Sequence, residues 1–237
     1  MLYLQWWELF LNFRYEVKRV FKGAIFDMDG TLVDSLMLWN IIWERFGNIF
    51  CEDGHFVPSE ADDKAVRTMT LKDAMNHIHQ KYNIGKTGEE LLETVNKIMI
   101  DFYSNEVMLK EGVAEFLEYC SANGVKMCIA SATDTELIKI ALRHCNIEKY
   151  FVNIFSCAEI GKGKDKPDIY QRAMEYLGTE AQETCIFEDS HIAICTADKL
   201  GIKTVGIYDK YNYGQDEIKK TATKYIAEGD SLKSLIV

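Results

Sequence analysis

At 237 residues the chain has room for one large domain or a core with a smaller insertion, and 48% hydrophobic with 27% charged residues suffices for a sizeable core. A formal net charge of -10 and a pI near 5.1 argue against a nucleic-acid or anionic-membrane binder, because phosphate surfaces select Lys and Arg. A small phosphorylated ligand stays open, since it needs only a local positive site.

The first twenty residues, MLYLQWWELFLNFRYEVKRV, read as an N-terminal extension. Glu8, Arg14 and Glu16 interrupt a stretch that would need ~20 apolar residues to span a bilayer. Leu2, Trp6, Leu9, Phe10, Phe13 and Val17 fall at helical spacing, so a helix is expected there. Apolar strands are then expected at Lys22–Phe26, Lys126–Ala130, Ile154–Ser156, Cys185–Phe187 and Thr204–Ile207. Helical patterns separate the later ones, at Val113–Ala122, Thr135–His144, Asp168–Leu177 and Ile192–Leu200. Gly124, Gly178 and Gly201 follow three of these helices, where a left-handed C-terminal residue is wanted. From Leu36 to Leu109 the pattern is helical only, with Leu38–Phe50, Lys72–Tyr82 and Glu89–Tyr103. The expected fold is a doubly wound α/β core with a mostly parallel sheet, over residues 21–35 and 110–237, into which a helical domain is inserted at 36–109.

The seven cysteines are scattered and odd in number, with no CxxC pair, which reads as reduced thiols of a cytoplasmic protein rather than a disulfide frame or zinc site. The five histidines match no metal or nucleophile pattern. Trp39 and Trp43, four residues apart, read as core of the inserted domain.

In an open parallel sheet, ligands sit beyond the carboxyl ends of the strands. Four strand ends in this sequence carry chemistry: Asp27-Met28-Asp29-Gly30-Thr31, Ser131-Ala132-Thr133, the loop Lys162-Gly163-Lys164-Asp165-Lys166-Pro167-Asp168, and Glu188-Asp189-Ser190. An EF-hand at Asp27 is excluded, because the sixth and twelfth loop positions are Leu32 and Leu38 instead of Gly and Glu. The set fits transfer of a phosphoryl group from a small phosphorylated metabolite. Mg²⁺ on Asp27 and Asp189 would offset the charge of an approaching phosphate. Asp27 would attack phosphorus and carry an aspartyl-phosphate. Asp29 would serve as acid and then base, while Ser131 and Lys164 hold the non-bridging oxygens. Backbone N–H groups of the Met28–Thr31 turn are expected to form an anion-binding concavity. Met28, Gly30, Thr31, Ala132 and Thr133 are therefore candidate substrate contacts, as are Arg67 and Lys72 of the insertion. Ser131 and Thr133 also fit as caps of the next helix, with Glu136 completing the cap.

DMDGT, the Ser131 strand end, a lysine before Pro167-Asp168 and the acid pair Glu188-Asp189, in this order over about Phe21–Tyr208, resemble the haloacid dehalogenase superfamily. The helical insertion is similar to the small cap of its subgroup containing phosphoglycolate phosphatase and β-phosphoglucomutase. The resemblance implies Asp27 as nucleophile, Asp29 as acid/base, Ser131 and Lys164 as phosphate-holding groups, and Mg²⁺ held with help from Glu188 and the backbone carbonyl of Asp29. It also implies a cap that closes over the substrate. True dehalogenases and phosphonate-cleaving relatives lack the second aspartate, so Asp29 favours a phosphatase. The mutases carry a cap histidine where this chain has Trp39, and a sugar-phosphate arginine that aligns with Leu71. The alternatives are a phosphomutase and a non-catalytic binding protein on the same fold. Oligomeric state is not read from the sequence.

Overall fold

A computed structural model describes residues 21–67 and 69–236, so the helix expected over residues 1–20 lies outside the described residues. The described chain divides into two compact units, residues 21–36 with 107–236, and Met37–Glu106.

The first unit is built on a sheet of six parallel strands: β1 Gly23–Phe26, β2 Lys126–Ser131, β3 Phe151–Ser156, β4 Thr184–Glu188, β5 Lys203–Ile207 and β6 Lys224–Ile226. Their spatial order is β3-β2-β1-β4-β5-β6. The chain winds outward from β1 to β3, then returns to the other side of β1 as β4. This reversal opens a crevice at the carboxyl ends of β1, β2 and β4. β1 and β4 are buried along their whole length, which explains the near-continuous apolar runs GAIF and TCIFE.

Side chains alternate across the sheet. On one face Ile25, Cys128, Ala130 and Ile186 pack with Ile169, Ala173, Leu177, Ala193 and Ala197. On the other, Phe26 stacks on Phe187 with ring centres 4.4 Å apart and meets Phe116 edge-on at 6.3 Å. Each pair adds about 0.5–1.5 kcal/mol beyond the area it buries.

The helical unit holds α1 Leu38–Phe50, α2 Glu60–Val66, α3 Leu71–Tyr82 and α4 Gly88–Asn105. Trp43 is buried and touches Phe46 and Phe56, while Trp39 is half-buried beside it at 5.3 Å. The remaining helices of the first unit are α5 Val113–Ala122, α6 Thr135–His144, α7 Cys157–Ile160, α8 Asp168–Leu177, α9 His191–Lys199 and α10 Gln215–Thr221. α1, α5, α6 and α8 occupy the expected residues.

Some expectations need correction. β1 begins at Gly23 instead of Lys22, β2 and β4 each run one residue further, to Ser131 and Glu188, and β3 begins three residues earlier, at Phe151. The cap of α6 is Asp134, whose carboxylate accepts the Glu136 N–H at 2.9 Å, so neither Ser131 nor Thr133 fills that position. α2, α7, α10 and β6 were not expected. They are short, and two of them are strongly charged, so no periodic apolar pattern marks them.

Candidate active site

The acids of the first strand end arise from one tight turn. Gly30 adopts φ +77°, and a Cβ there would come within 2.5 Å of Asp189 Oδ2 and 2.9 Å of the Leu36 side chain. Only glycine fits both the backbone conformation and the close approach. The Gly30 N–H donates to the Val33 carbonyl at 2.9 Å, and the Thr31 N–H donates to the Met28 carbonyl at 3.3 Å. The turn thus uses these two donors internally. Thr31 instead contributes its hydroxyl, which donates to Asp189 Oδ1 at 3.2 Å.

Adjacent strands β1 and β4 bring their terminal acids together, since Phe26 pairs in register with Phe187. Asp27, Glu188 and Asp189 are all buried, and each offers a carboxylate oxygen within 4.8 Å of the others. Lys164 reaches this trio from the loop after α7. Its ammonium donates to Asp27 Oδ1 at 2.5 Å and Glu188 Oε2 at 2.7 Å, and its side chain is 11% exposed. Lys162, two residues earlier, is 53% exposed and pairs with Asp168. Lys166 pairs with Asp165 at the surface. The same loop therefore turns one lysine inward and two outward.

Three carboxylates facing one ammonium leave excess negative charge, and their protonation responds. Burial, reinforced by the Glu188 charge and opposed by Lys164, raises Asp27 to about 6. Burial and the charges of Glu188 and Asp27 raise Asp189 well above the usual carboxylate range. Burial alone would lower Lys164, but Asp27 and Glu188 outweigh it and hold the ammonium charged. An all-oxygen donor set with unbalanced charge fits a hard divalent cation.

Asp29 is set apart from this trio. Ser35 and Thr133 donate hydroxyl hydrogen bonds of 2.6 Å to Asp29 Oδ1 and Oδ2, one to each oxygen, fixing the plane of the carboxyl group. Ser131 is buried at the end of β2, and its Oγ accepts the Thr133 N–H at 3.2 Å. Ser156 in turn holds the Thr133 carbonyl at 2.8 Å. Ala132 forms the bend between Ser131 and Thr133.

Arg67 and Lys72 belong to the helical unit. Arg67 donates to Asp63 at 2.9 Å and lies 5.9 Å from the Trp39 ring centre, and Lys72 is exposed in the first turn of α3.

Sequence reasoning missed two partners of the site acids, Ser35 and Asn212, and did not see that Thr133 bonds Asp29. Ser35 and Thr133 orient Asp29, and Asn212 donates to the Asp189 carboxylate. Ser35 closes the opening motif as its one further hydroxyl, which is a signal. Asn212 stands in a loop with no pattern around it.

The chain is 24% identical over 219 residues to "Phosphorylated carbohydrates phosphatase" of Thermotoga maritima, covering 90% of this chain and 98% of that protein. It is 27% identical over 206 residues to "Protein CbbY" of Rhodobacter capsulatus, covering 82% and 88%. The fold is similar to the crystal structure of CbbY from Rhodobacter sphaeroides in complex with phosphate, with a TM-score of 0.71, 17% identity, and 92% and 100% of the two chains covered. The model of the "Haloacid dehalogenase-like hydrolase" family matches residues 24–207, which spans the sheet from β1 to β5 but for Gly23 and includes all the acids described above. The chain is an enzyme that belongs to the haloacid dehalogenase-like hydrolase family.

Proposed function

We propose that this protein is a Mg²⁺-dependent phosphatase that hydrolyses a small phosphate monoester through an aspartyl-phosphate on Asp27. The observation that carries the reading is the separation of two kinds of acid at the strand ends. Asp27 lies in a buried carboxylate trio with a single ammonium, while Asp29 is held apart by two hydroxyls. One acid is thereby suited to attack and the other to proton transfer.

Asp27, Asp189 and Glu188 would hold Mg²⁺ through side-chain oxygens, joined by the Asp29 carbonyl. When bound, the ion supplies positive charge that offsets the carboxylates and an anionic phosphate. A free oxygen of Asp27 forms a bond to phosphorus as the bond to the ester oxygen breaks. Asp29 gives its proton to the departing alkoxide. It then takes a proton from water, whose oxygen bonds to phosphorus and releases Asp27. Lys164 and Ser131 hold the non-bridging oxygens during both steps.

The relative named for phosphorylated carbohydrates supports a phosphorylated carbohydrate as the substrate class. The roles expected for Arg67 and Lys72 in substrate recognition belong to this proposal, as do those of Met28, Gly30, Thr31, Ala132 and Thr133. Trp39, where the mutases have a histidine, disfavours a phosphomutase. The test is phosphate release from sugar phosphates, phosphoglycolate, nucleotides and an aryl phosphate, with Mg²⁺, with EDTA, and with Asp27→Asn. Release that needs Mg²⁺ and Asp27 is the expected result. No release from any ester, or release untouched by Asp27→Asn, would overturn the reading.

A further inference from the structure

We propose that Asn212 is a positioning residue for Asp189, fixing which carboxylate oxygen is free to take a divalent cation. The inference rests on the metal role proposed above for Asp189. Asn212 Nδ2 donates to both the Asp189 carbonyl and Asp189 Oδ2, each at 2.6 Å. Asn212 Oδ1 accepts the Tyr213 N–H at 2.8 Å, which sets the amide with its nitrogen toward Asp189. Every polar atom of the amide is thus engaged.

The loop carrying Asn212 is held by a second buried acid. Asp209 is 2% exposed, and its carboxylate accepts Lys110 Nζ at 2.7 Å and the Tyr211 N–H at 2.8 Å. Its carbonyl accepts the Asn212 N–H at 3.1 Å and Gln215 Nε2 at 3.1 Å. Lys110 also holds the Tyr208 carbonyl at 3.0 Å. The seven-residue loop Tyr208–Gly214 is therefore tied at both ends with its one inward amide on Asp189. Bonding of this kind holds the Asn212 side chain in place against Asp189, as a positioned site needs. With Oδ2 committed to Asn212 and Oδ1 only lightly held by Thr31 at 3.2 Å, Oδ1 is the oxygen left to coordinate. Outer partners of this kind are worth about 10–100-fold in metal affinity.

The test measures Mn²⁺ binding directly, from the free-ion electron paramagnetic resonance signal, on the full chain and on Asn212→Ala and Asn212→Asp. Thermal melting without metal reports folding. The expected result is binding at least about tenfold weaker in both variants, with melting close to wild type. Asn212→Asp keeps the shape of the amide and replaces its donor with an acceptor, so a packing role would spare it. Wild-type affinity, or tighter binding, in either folded variant overturns the inference alone. Absence of Mn²⁺ binding in the wild type overturns the metal reading and this inference with it.

Discussion

Asp27 in the α/β unit and Asp62 in the helical unit are buried to the same degree, 6% and 4% exposed, yet their surroundings drive them in opposite directions. Asp62 is saturated with donors. Lys81 reaches its Oδ1 at 2.7 Å, and His77 Nε2 lies 2.9 Å from the same oxygen. Tyr82 donates to Oδ2 at 2.5 Å, and the Ser59 hydroxyl bonds that oxygen too. Lys81 first, then Ser59, Tyr82 and His77, hold this carboxyl far below its ordinary value. Asp27 shares one ammonium with Glu188 and is raised to about 6. A structural acid is finished within the fold. Asp27 is left short of positive charge, which under the proposed function a metal and a substrate would bring.

Asp27→Asn should break this contrast most severely. Phosphate release should fall on the order of 10⁴-fold, because the proposed nucleophile is gone. The metal-free protein should become more stable at neutral pH, by about 3 kcal/mol, since a carboxylate strained by burial is replaced by an amide. The sign follows from the raised value. Asp27 contributes stability that is fully present below its unfolded value near 3.8 and is lost as pH rises through about 6. The gain in melting temperature should therefore grow between pH 4 and 7 and be absent at pH 3. Saturating Mg²⁺ should reverse the order by stabilising the wild type. A variant less stable than wild type at pH 7 without metal would sink the idea of a strained acid.

Lys164→Met removes the ammonium that Asp27 and Glu188 share. Turnover should drop about 10²–10³-fold through loss of phosphate stabilisation. The metal-free protein should lose stability at pH 7 and regain part of it as the pH falls and the carboxylates protonate. Melting midpoints between pH 4 and 8 check this, and a flat difference across that range would contradict it.

Asp62→Ala acts on the other side of the comparison. Its lowered value means that its stabilising contribution is in place above the unfolded value near 3.8 and is lost as pH falls below it. The variant should melt several degrees lower at pH 7, with the deficit shrinking in acid, while the Mn²⁺ affinity of the folded protein stays unchanged. A change in metal affinity would show that Asp62 does more than hold α2 to α3.

How much of this could be read beforehand depended on period and on motif. Helices α1, α5, α6 and α8 carry an apolar stripe through three turns, and β1 and β4 are apolar throughout, so their positions were legible. α2 reads EADDKAV, with no stripe at all. It stands on its local Ser59 cap and on the Asp62 network, whose partners His77, Lys81 and Tyr82 come from α3 and are not adjacent in sequence. Asp27, Asp29, Lys164, Glu188 and Asp189 could be found because chemistry places them at strand ends. Ser35, Thr133 and Asn212 act on those acids through hydrogen bonds that fold geometry decides. Asn212 is 23 residues from the acid it holds, in a loop whose course depends on the buried pair of Lys110 and Asp209.

The smallest effect is expected at Lys162, and it sharpens the comparison within a single loop. Lys162 and Lys164 are separated by one glycine, and both pair with an aspartate at 2.5 Å. Distance alone would rank them equal. Exposure separates them, since the Lys162 pair is half in water and the Lys164 pair is not. An exposed pair is screened by solvent and gives back most of its attraction as side-chain entropy. Lys162→Ala should therefore leave kcat/KM within about twofold of wild type. If the loop instead used both lysines on the substrate phosphate, the loss at Lys162 would approach that at Lys164, and raising the salt concentration would reproduce part of it in the wild type.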